Sequence, residues 1–122
     1  MRRRDFLRNS IFAAGAVSAS DLFAQNSRSN PEIALFTKPF QHLSYKDFSN
    51  VIAEIGASGV ELPLRPKGHI EPQAVEEELP KMVDELKKNE LKVSILASGI
   101  NSVDSPNAEK ILKVAKALGI KQ

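Results

Sequence analysis

The stretch that decides the fold is GVELPLRPKGH, residues 59–69. Val60 and Leu62 alternate with Glu61, and this period of two predicts a strand whose aliphatic side chains share one face. Glu61 and Arg65 then fall on the other face, which would give a buried strand an unusual polar side. We interpret this stretch as the place where the protein holds a ligand.

The second half of the same stretch predicts a loop. Pro63 and Pro66 have no backbone N–H to donate to a neighbouring strand, so regular pairing is expected to end there. Lys67 and His69 follow and bring polar side chains to the end of the strand.

Length and composition limit the class of protein. A chain of 122 residues has room for one domain with a modest core. The sequence contains no cysteine, which excludes a disulfide framework, a thiolate metal site and a cysteine nucleophile.

The N-terminus predicts export. Residues 3–8, RRDFLR, match the twin-arginine export pattern, and a small-residue apolar run of about nine residues follows at 11–19. A membrane span needs about 20 residues, so this run fits the core of a cleaved signal. We place cleavage after Ala24 in preference to Ala19, which gives a signal at 1–24, a linker at 25–32 and a domain at 33–122, with a periplasmic or otherwise exported location. The alternative is a cytosolic protein with a basic start.

The charge of the chain belongs largely to this signal. Residues 1–24 hold four of the 17 basic and two of the 15 acidic residues, so the remainder has 13 of each and is formally neutral. Nucleic-acid binding therefore has no compositional support. No later segment is apolar and long enough to span a membrane.

The rest of the chain predicts a repeated strand and helix unit. Strands are predicted to begin near residues 33, 60 and 92, separated by helices at about 45–55 and 73–88 and by a third helix that begins at Ser105 and Pro106. Pro80 predicts a kink or restart in the second helix. The regular spacing predicts parallel strands. Because a fourth strand would begin at Ile120, we expect the chain to be a truncated form of a longer protein.

The sequence also predicts which side chains share a face in the third strand and in the third helix. In the third strand Val93, Ile95 and Ala97 are predicted to share one face, opposite Ser94, Leu96 and Ser98. The third helix is predicted to bury one apolar stripe, which consists of Ala108, Ile111, Leu112, Ala115 and Leu118.

The ordered set of segments 55–62 (IGASGVEL), 65–69 (RPKGH), 77–80 (EELP) and 117–121 (ALGIK) resembles the xylose-isomerase-like TIM barrels, in particular sugar phosphate isomerases and epimerases. The resemblance covers about residues 33–122. It implies an α/β fold that is the N-terminal part, about three βα units, of an incomplete TIM (β/α)8 barrel.

The resemblance also implies a function. Members of such a family isomerise or epimerise a sugar or polyol by metal-assisted proton transfer next to a carbonyl, with a divalent ion such as Mn, Zn or Mg. Their metal ligands lie in the second half of the barrel. We therefore assign no catalytic residue and no metal ligand to this chain and expect little or no catalysis from it.

The resemblance carries over a substrate rim at the C-terminal ends of the strands. The residues nominated for it are Phe36, Lys38, Glu61, Arg65, His69 and Ser98. Phe36 would pack on a sugar and Arg65 would pair with a phosphate or carboxylate.

These nominated residues have plainer alternatives. Phe36 would be ordinary core, Lys38 and Lys67 solvated charges, and Glu61 the partner of Arg65 in an interior salt bridge. His69 would contact substrate, bind a metal or make a hydrogen bond within its loop.

Other functions and folds stay open at this point. The chain would be a non-catalytic exported carbohydrate-binding module or a decayed gene fragment, and its oligomeric state is not predicted. The alternative fold is a flavodoxin-type sandwich, although Thr37, Lys38 and Pro39 follow the first strand in place of a glycine-rich phosphate loop.

Overall fold

The computed structural model describes residues 31–122. The predicted signal and the linker up to residue 30 lie outside the described residues. Within the described residues six regular elements alternate: β1 (Ala34–Phe36), α1 (Tyr45–Ile55), β2 (Gly59–Leu64), α2 (Val75–Lys88), β3 (Lys92–Ser98) and α3 (Ala108–Ala117). Short 3-10 turns at Lys38–Phe40 and Pro72–Ala74 lie before α1 and α2.

The three strands form one parallel sheet in the order β1-β2-β3. The predicted α/β class and parallel pairing are therefore confirmed. A flavodoxin-type sheet would place β1 between β2 and β3, so that alternative is wrong for residues 31–122. The chain after α3 returns to the free side of β3, where the backbone N–H of Leu96 donates to the carbonyl of Gln122 at 2.8 Å.

The first helix forms as its sequence predicts. Ser44 caps it, because the Ser44 hydroxyl oxygen accepts a hydrogen bond from the backbone N–H of Asp47 at 3.1 Å. Gly56 ends it with a φ of 84°, a left-handed conformation that glycine adopts without steric strain.

Of the kink or restart predicted at Pro80, the restart is wrong, and a kink stays a prediction. A single helix runs from Val75 to Lys88 with Pro80 inside it. The ring nitrogen of Pro80 has no hydrogen to donate to the carbonyl of Glu76, so one intrahelical bond is missing. The buried stripe of α2, which consists of Val75, Leu79, Met82, Val83 and Leu86, continues through this point. Packing of that stripe outweighs the missing bond.

The third helix begins later than predicted. Asn107 has a left-handed φ of 62°, so the helix starts at Ala108 and not at Ser105. The Ser105 hydroxyl instead accepts hydrogen bonds from the backbone N–H groups of Asn101 and Ser102 and shapes the preceding loop. Leu112 is 61% exposed, so its placement in the buried stripe is wrong.

The hydrophobic core lies between one face of the sheet and the helices. Val60, Leu62 and Leu64 of β2 are completely buried on this covered face. The side chains that pack with them come from all three helices and include Phe48, Ile52, Leu79, Met82, Leu86 and Ile111. The predicted separation of the aliphatic residues of β2 from Glu61 is confirmed.

The predicted faces of β3 are wrong because the strand contains an irregularity. Val60 pairs with Val93, but the next residue, Glu61, pairs with Ile95, so Ser94 is an extra residue. Val93 and Leu96 therefore pack towards the core, while Ile95 shares the opposite face with Glu61. A single inserted residue reverses every later side chain of a strand.

The other side of the sheet is called the open face and is defined by Phe36, Glu61, Ile95 and Ala97. Phe36, Glu61 and Ile95 lie in register across the three strands, and none of them belongs to the core cluster. Phe36 is 40% exposed. In the described part of the chain, no helix has the length and apolar character needed to cross a membrane.

Candidate functional site

The candidate site lies at the C-terminal edge of the sheet, where parallel strands bring their following loops together. Phe36 is the last residue of β1 and Ser98 the last of β3. Arg65 follows the last residue of β2, and its Cβ lies beside Gly99. The structure therefore places Phe36 and Glu61 on the open face and Arg65 and Ser98 at the C-terminal edge of the sheet, with Ser98 in register with Leu64 of the covered face.

Phe36 and Glu61 form the best defined part of this site. They are direct partners in the pairing of β1 with β2. Phe36 is exposed, so it is not part of the core of residues 31–122. An aromatic ring beside a half-buried carboxylate offers an apolar surface and a hydrogen-bond acceptor to the same ligand.

The predicted interior salt bridge between Glu61 and Arg65 does not form. Ion pairs within residues 31–122 all involve other side chains. Arg65 is exposed in the loop, and Glu61 is half-buried on the open face. The guanidinium of Arg65 and the carboxylate of Glu61 therefore do not bind each other. A guanidinium can donate hydrogen bonds to an anion, and a carboxylate can accept them from hydroxyl groups.

His69 turns inward from its loop. Its Nδ1 lies 3.2 Å from Oγ1 of Thr37, a fully buried residue directly after β1. The imidazole ring packs edge-on against Phe48, with ring centroids 4.9 Å apart, and lies 6.1 Å from the ring of Tyr45. His69 thus makes a hydrogen-bond contact, but with Thr37 outside its loop and not within the loop as predicted, and its contact with a substrate or a metal stays a prediction.

The second imidazole nitrogen of His69, Nε2, is buried and has no hydrogen-bond partner within residues 31–122. Burial lowers the pKa of His69 below its ordinary value, because the apolar surroundings disfavour the charged ring. A buried polar atom without a partner costs about 1–3 kcal/mol of stability.

Backbone hydrogen bonds hold the β2–α2 loop that carries His69. The N–H of Gly68 donates to the carbonyl of Arg65 at 2.7 Å, and the N–H of His69 donates to that of Pro63 at 2.8 Å. Gly68 approaches these carbonyls so closely that a Cβ would lie 2.5 Å from the Pro63 oxygen. The glycine therefore permits the turn that directs His69 inward.

Sequence reasoning missed two residues of this region. The sequence indicates only that Thr37 replaces a glycine after the first strand and that Tyr45 begins a helix. In the structure the Tyr45 hydroxyl donates to Oε2 of Glu78 at 2.6 Å and joins α1 to α2. Burial and this bond raise the pKa of Tyr45. Thr37 is the single threonine of the sequence, and its neighbours Phe36 and Lys38 gave no signal of its contact with the imidazole.

A cleft of about 230 Å³ opens between the β2–α2 and β3–α3 loops. Its walls are mostly apolar, and Gln73, Ser105 and Asn107 contribute polar atoms. The cleft lies on the same edge of the sheet as Arg65 and could receive part of a small ligand next to it.

The described residues do not form a metal centre. Within residues 31–122 no three carboxylate, imidazole or thiol side chains converge. The Mn, Zn or Mg ion that the resemblance implies therefore has no ligand set in this part of the chain, and no reaction step is assigned to it.

No model of a known protein family, no curated protein and no solved structure matches the chain.

Proposed function

We propose that residues 31–122 are part of the wall of a parallel βα barrel of the sugar isomerase and epimerase kind. Three features support this proposal: the strands follow one another in sequential order, the helices pack on one face, and Gln122 pairs beside β3. A Rossmann sheet would instead continue on the free side of β1. In a barrel the open face lines the interior.

The proposed ligand is a sugar or polyol, free or phosphorylated. The observation that carries this is the pairing of Phe36 with Glu61 on the open face. The ring of Phe36 would stack on the C–H face of a sugar while the Glu61 carboxylate accepts its hydroxyl protons. Arg65, exposed at the edge, would bind a phosphate in bidentate fashion.

In this proposal the described residues bind and orient the substrate. A divalent metal, when bound by the complete active site, supplies polarisation of the substrate oxygens during proton transfer. We therefore expect the 122-residue chain to bind such ligands and to show little or no turnover of them.

Binding is tested by NMR with the isotope-labelled 122-residue chain. Aldoses, ketoses and their phosphates are titrated with and without Mg²⁺ or Zn²⁺. We expect shifts of the amides of Phe36, Glu61, Arg65 and Ser98, with Arg65 moving most for the phosphates. Glu61→Gln should weaken binding about tenfold, the loss of one charged hydrogen bond.

The matched control is Glu54→Gln, which changes an exposed carboxylate on α1. It should leave binding unchanged. No shift with any sugar would overturn the proposal, and turnover by this chain would contradict the assigned division of roles. Because no metal ligand set is formed within residues 31–122, binding should be equally strong with and without added metal.

Export is a separate part of the proposal and is supported by the pattern at residues 3–8. Changing Arg3 and Arg4 together to lysine in the full chain should abolish export of a folded reporter fused to it. Arg8→Lys keeps both arginines of the pair and should leave export largely intact. Export that persists in the double variant would contradict the twin-arginine route.

A further inference from the structure

His69 joins the β2–α2 loop to the end of β1. The loop, residues 65–71, carries His69, and the Thr37 hydroxyl that meets Nδ1 belongs to the first residue after β1. The imidazole lies against Phe48 and near Tyr45, both from α1. One side chain thus connects a loop of the candidate site to two separate elements of the fold.

We propose that the contact between His69 and Thr37 is an acid-sensitive latch that releases residues 65–69 when the imidazole is protonated, while Ile70 stays in the core. A protonated imidazole carries two N–H donors. Within the described residues Thr37 serves Nδ1, whereas the buried Nε2 has no acceptor. A buried charged donor that lacks an acceptor is unfavourable, and release of the loop returns it to water.

The groups around His69 do not offer the missing acceptor. From α1 the titratable group is Tyr45, whose hydroxyl is already bonded to Glu78 of α2, and Glu78 in turn meets Lys81. On the loop itself the Glu71 carboxylate accepts from the backbone N–H of Lys67 at 2.9 Å.

The strands bring no acceptor to the imidazole either. From β2, Glu61 approaches Thr37 through its backbone carbonyl, which accepts from the N–H of Thr37. Lys38, next to Thr37, is exposed and cationic. In the closed loop, therefore, none of these carboxylates is placed to accept a hydrogen bond from protonated His69.

The direction of the pH effect follows from the burial of the ring. Burial lowers the pKa of His69 in the closed loop, whereas in the open loop the imidazole has its ordinary pKa of 6.5. The open loop therefore binds the proton more readily. The ratio of open to closed loops should rise as pH falls below 6.5, by up to about tenfold per pH unit until the pKa of the closed form is passed.

Hydrogen exchange of the full chain tests the latch. The amides of Gly68 and His69 are bonded in the closed loop and report its opening. Their protection, corrected for the intrinsic exchange rate, should fall by up to about tenfold per pH unit as the pH is lowered below 6.5. Protection of Leu62, in the middle of β2, should stay constant over this range and so distinguish local from global opening.

Two variants assign the effect to His69. His69→Gln removes the titrating ring, so the loop protection should lose its pH dependence. His42→Gln removes the other histidine, which is exposed, and should retain that dependence. Thr37→Val removes the hydroxyl partner and should lower loop protection at neutral pH to the level that the unaltered chain shows in acid.

Several results would overturn the proposal. One is constant loop protection in the unaltered chain, and another is an acid response that survives in His69→Gln. If His69→Gln does not fold, the imidazole proton resonances of the unaltered chain decide: a midpoint for His69 at or above 6.5 would contradict the latch.

Discussion

The two faces of the sheet differ in what they bury and in what they leave available. On the covered face Val60, Leu62 and Leu64 are completely inaccessible to solvent. On the open face Phe36 is 40% exposed and Glu61 is half-buried without an ion-pair partner among residues 31–122. The alternation within one strand thus separates the residues that stabilise the fold from those that can contact a ligand.

The largest expected effect comes from the covered face. Leu62→Ala should lower the free energy of unfolding by about 2–5 kcal/mol, because it removes buried methyl groups and leaves a cavity. The matched change on the open face is Phe36→Ala, for which we expect a loss of less than about 1 kcal/mol despite the larger side chain. Urea unfolding followed by circular dichroism measures both. Equal losses would mean that the open face is covered in solution.

A substitution at Gly59, the first residue of β2, tests how closely β3 approaches the start of that strand. An added Cβ would lie against Oγ of Ser94 and 2.8 Å from the carbonyl oxygen of Lys92. Gly59→Ala should therefore reduce stability by about 1–3 kcal/mol. Adding Ser94→Ala removes the hydroxyl contact but not the backbone contact, so it should restore only part of the loss. An undisturbed Gly59→Ala protein would contradict the close approach of the extra residue in β3.

Tyr45→Phe examines a polar contact on the covered side. It removes the hydroxyl that donates to Glu78, and we expect a loss of about 1 kcal/mol at pH 7. The hydrogen bonds from Tyr45 and Lys81 lower the pKa of Glu78 below its ordinary value of 4.5. The stability that ionised Glu78 contributes is therefore fully present above pH 4.5 and is lost as the pH falls through the lowered pKa. The difference in free energy of unfolding between the unaltered chain and Tyr45→Phe, measured with urea, should therefore shrink in acid. A difference that does not shrink anywhere below pH 4.5 would contradict this account.

The smallest effect on stability is expected for Glu61→Gln. Because the Glu61 carboxylate has no ion-pair partner within the described residues, stability should change by less than about 0.5 kcal/mol. Sugar binding should nevertheless weaken. Thermal unfolding of this variant beside Glu54→Gln measures the first effect. A large loss of stability would show that Glu61 is structural.

Much of the fold could be predicted because its signals are local. The cap at Ser44, the left-handed stop at Gly56 and the alternation through Val60 and Leu62 each depend on a few neighbouring residues. These features predicted α1 and β2 nearly to the residue, and the regular spacing predicted the parallel sheet.

The errors arose where backbone geometry departs from a regular period. The extra residue Ser94 shifts the register of β3, and alternation in the sequence contains no sign of it. The left-handed Asn107 delays α3 although Ser105 and Pro106 form a typical start signal. Packing kept α2 continuous through Pro80 against the local preference of proline.

The inner part of the candidate site could not be predicted for a different reason. Thr37 and His69 are 32 residues apart, and their contact exists only because β1 and β2 are neighbours in register. Sequence reasoning located His69 in a loop but had no means to turn it inward. The same holds for Tyr45 and Glu78, which are 33 residues apart.

The bond between Tyr45 and Glu78 also gives the protein an optical probe of its own. The chain contains one tyrosine and no tryptophan, so emission excited at wavelengths that phenylalanine does not absorb comes from Tyr45. A carboxylate that accepts a hydrogen bond from a phenol quenches its fluorescence, and in the folded chain Glu78 is placed to do so. Separation of α1 from α2 should therefore brighten the emission, so folding can be followed without any added label.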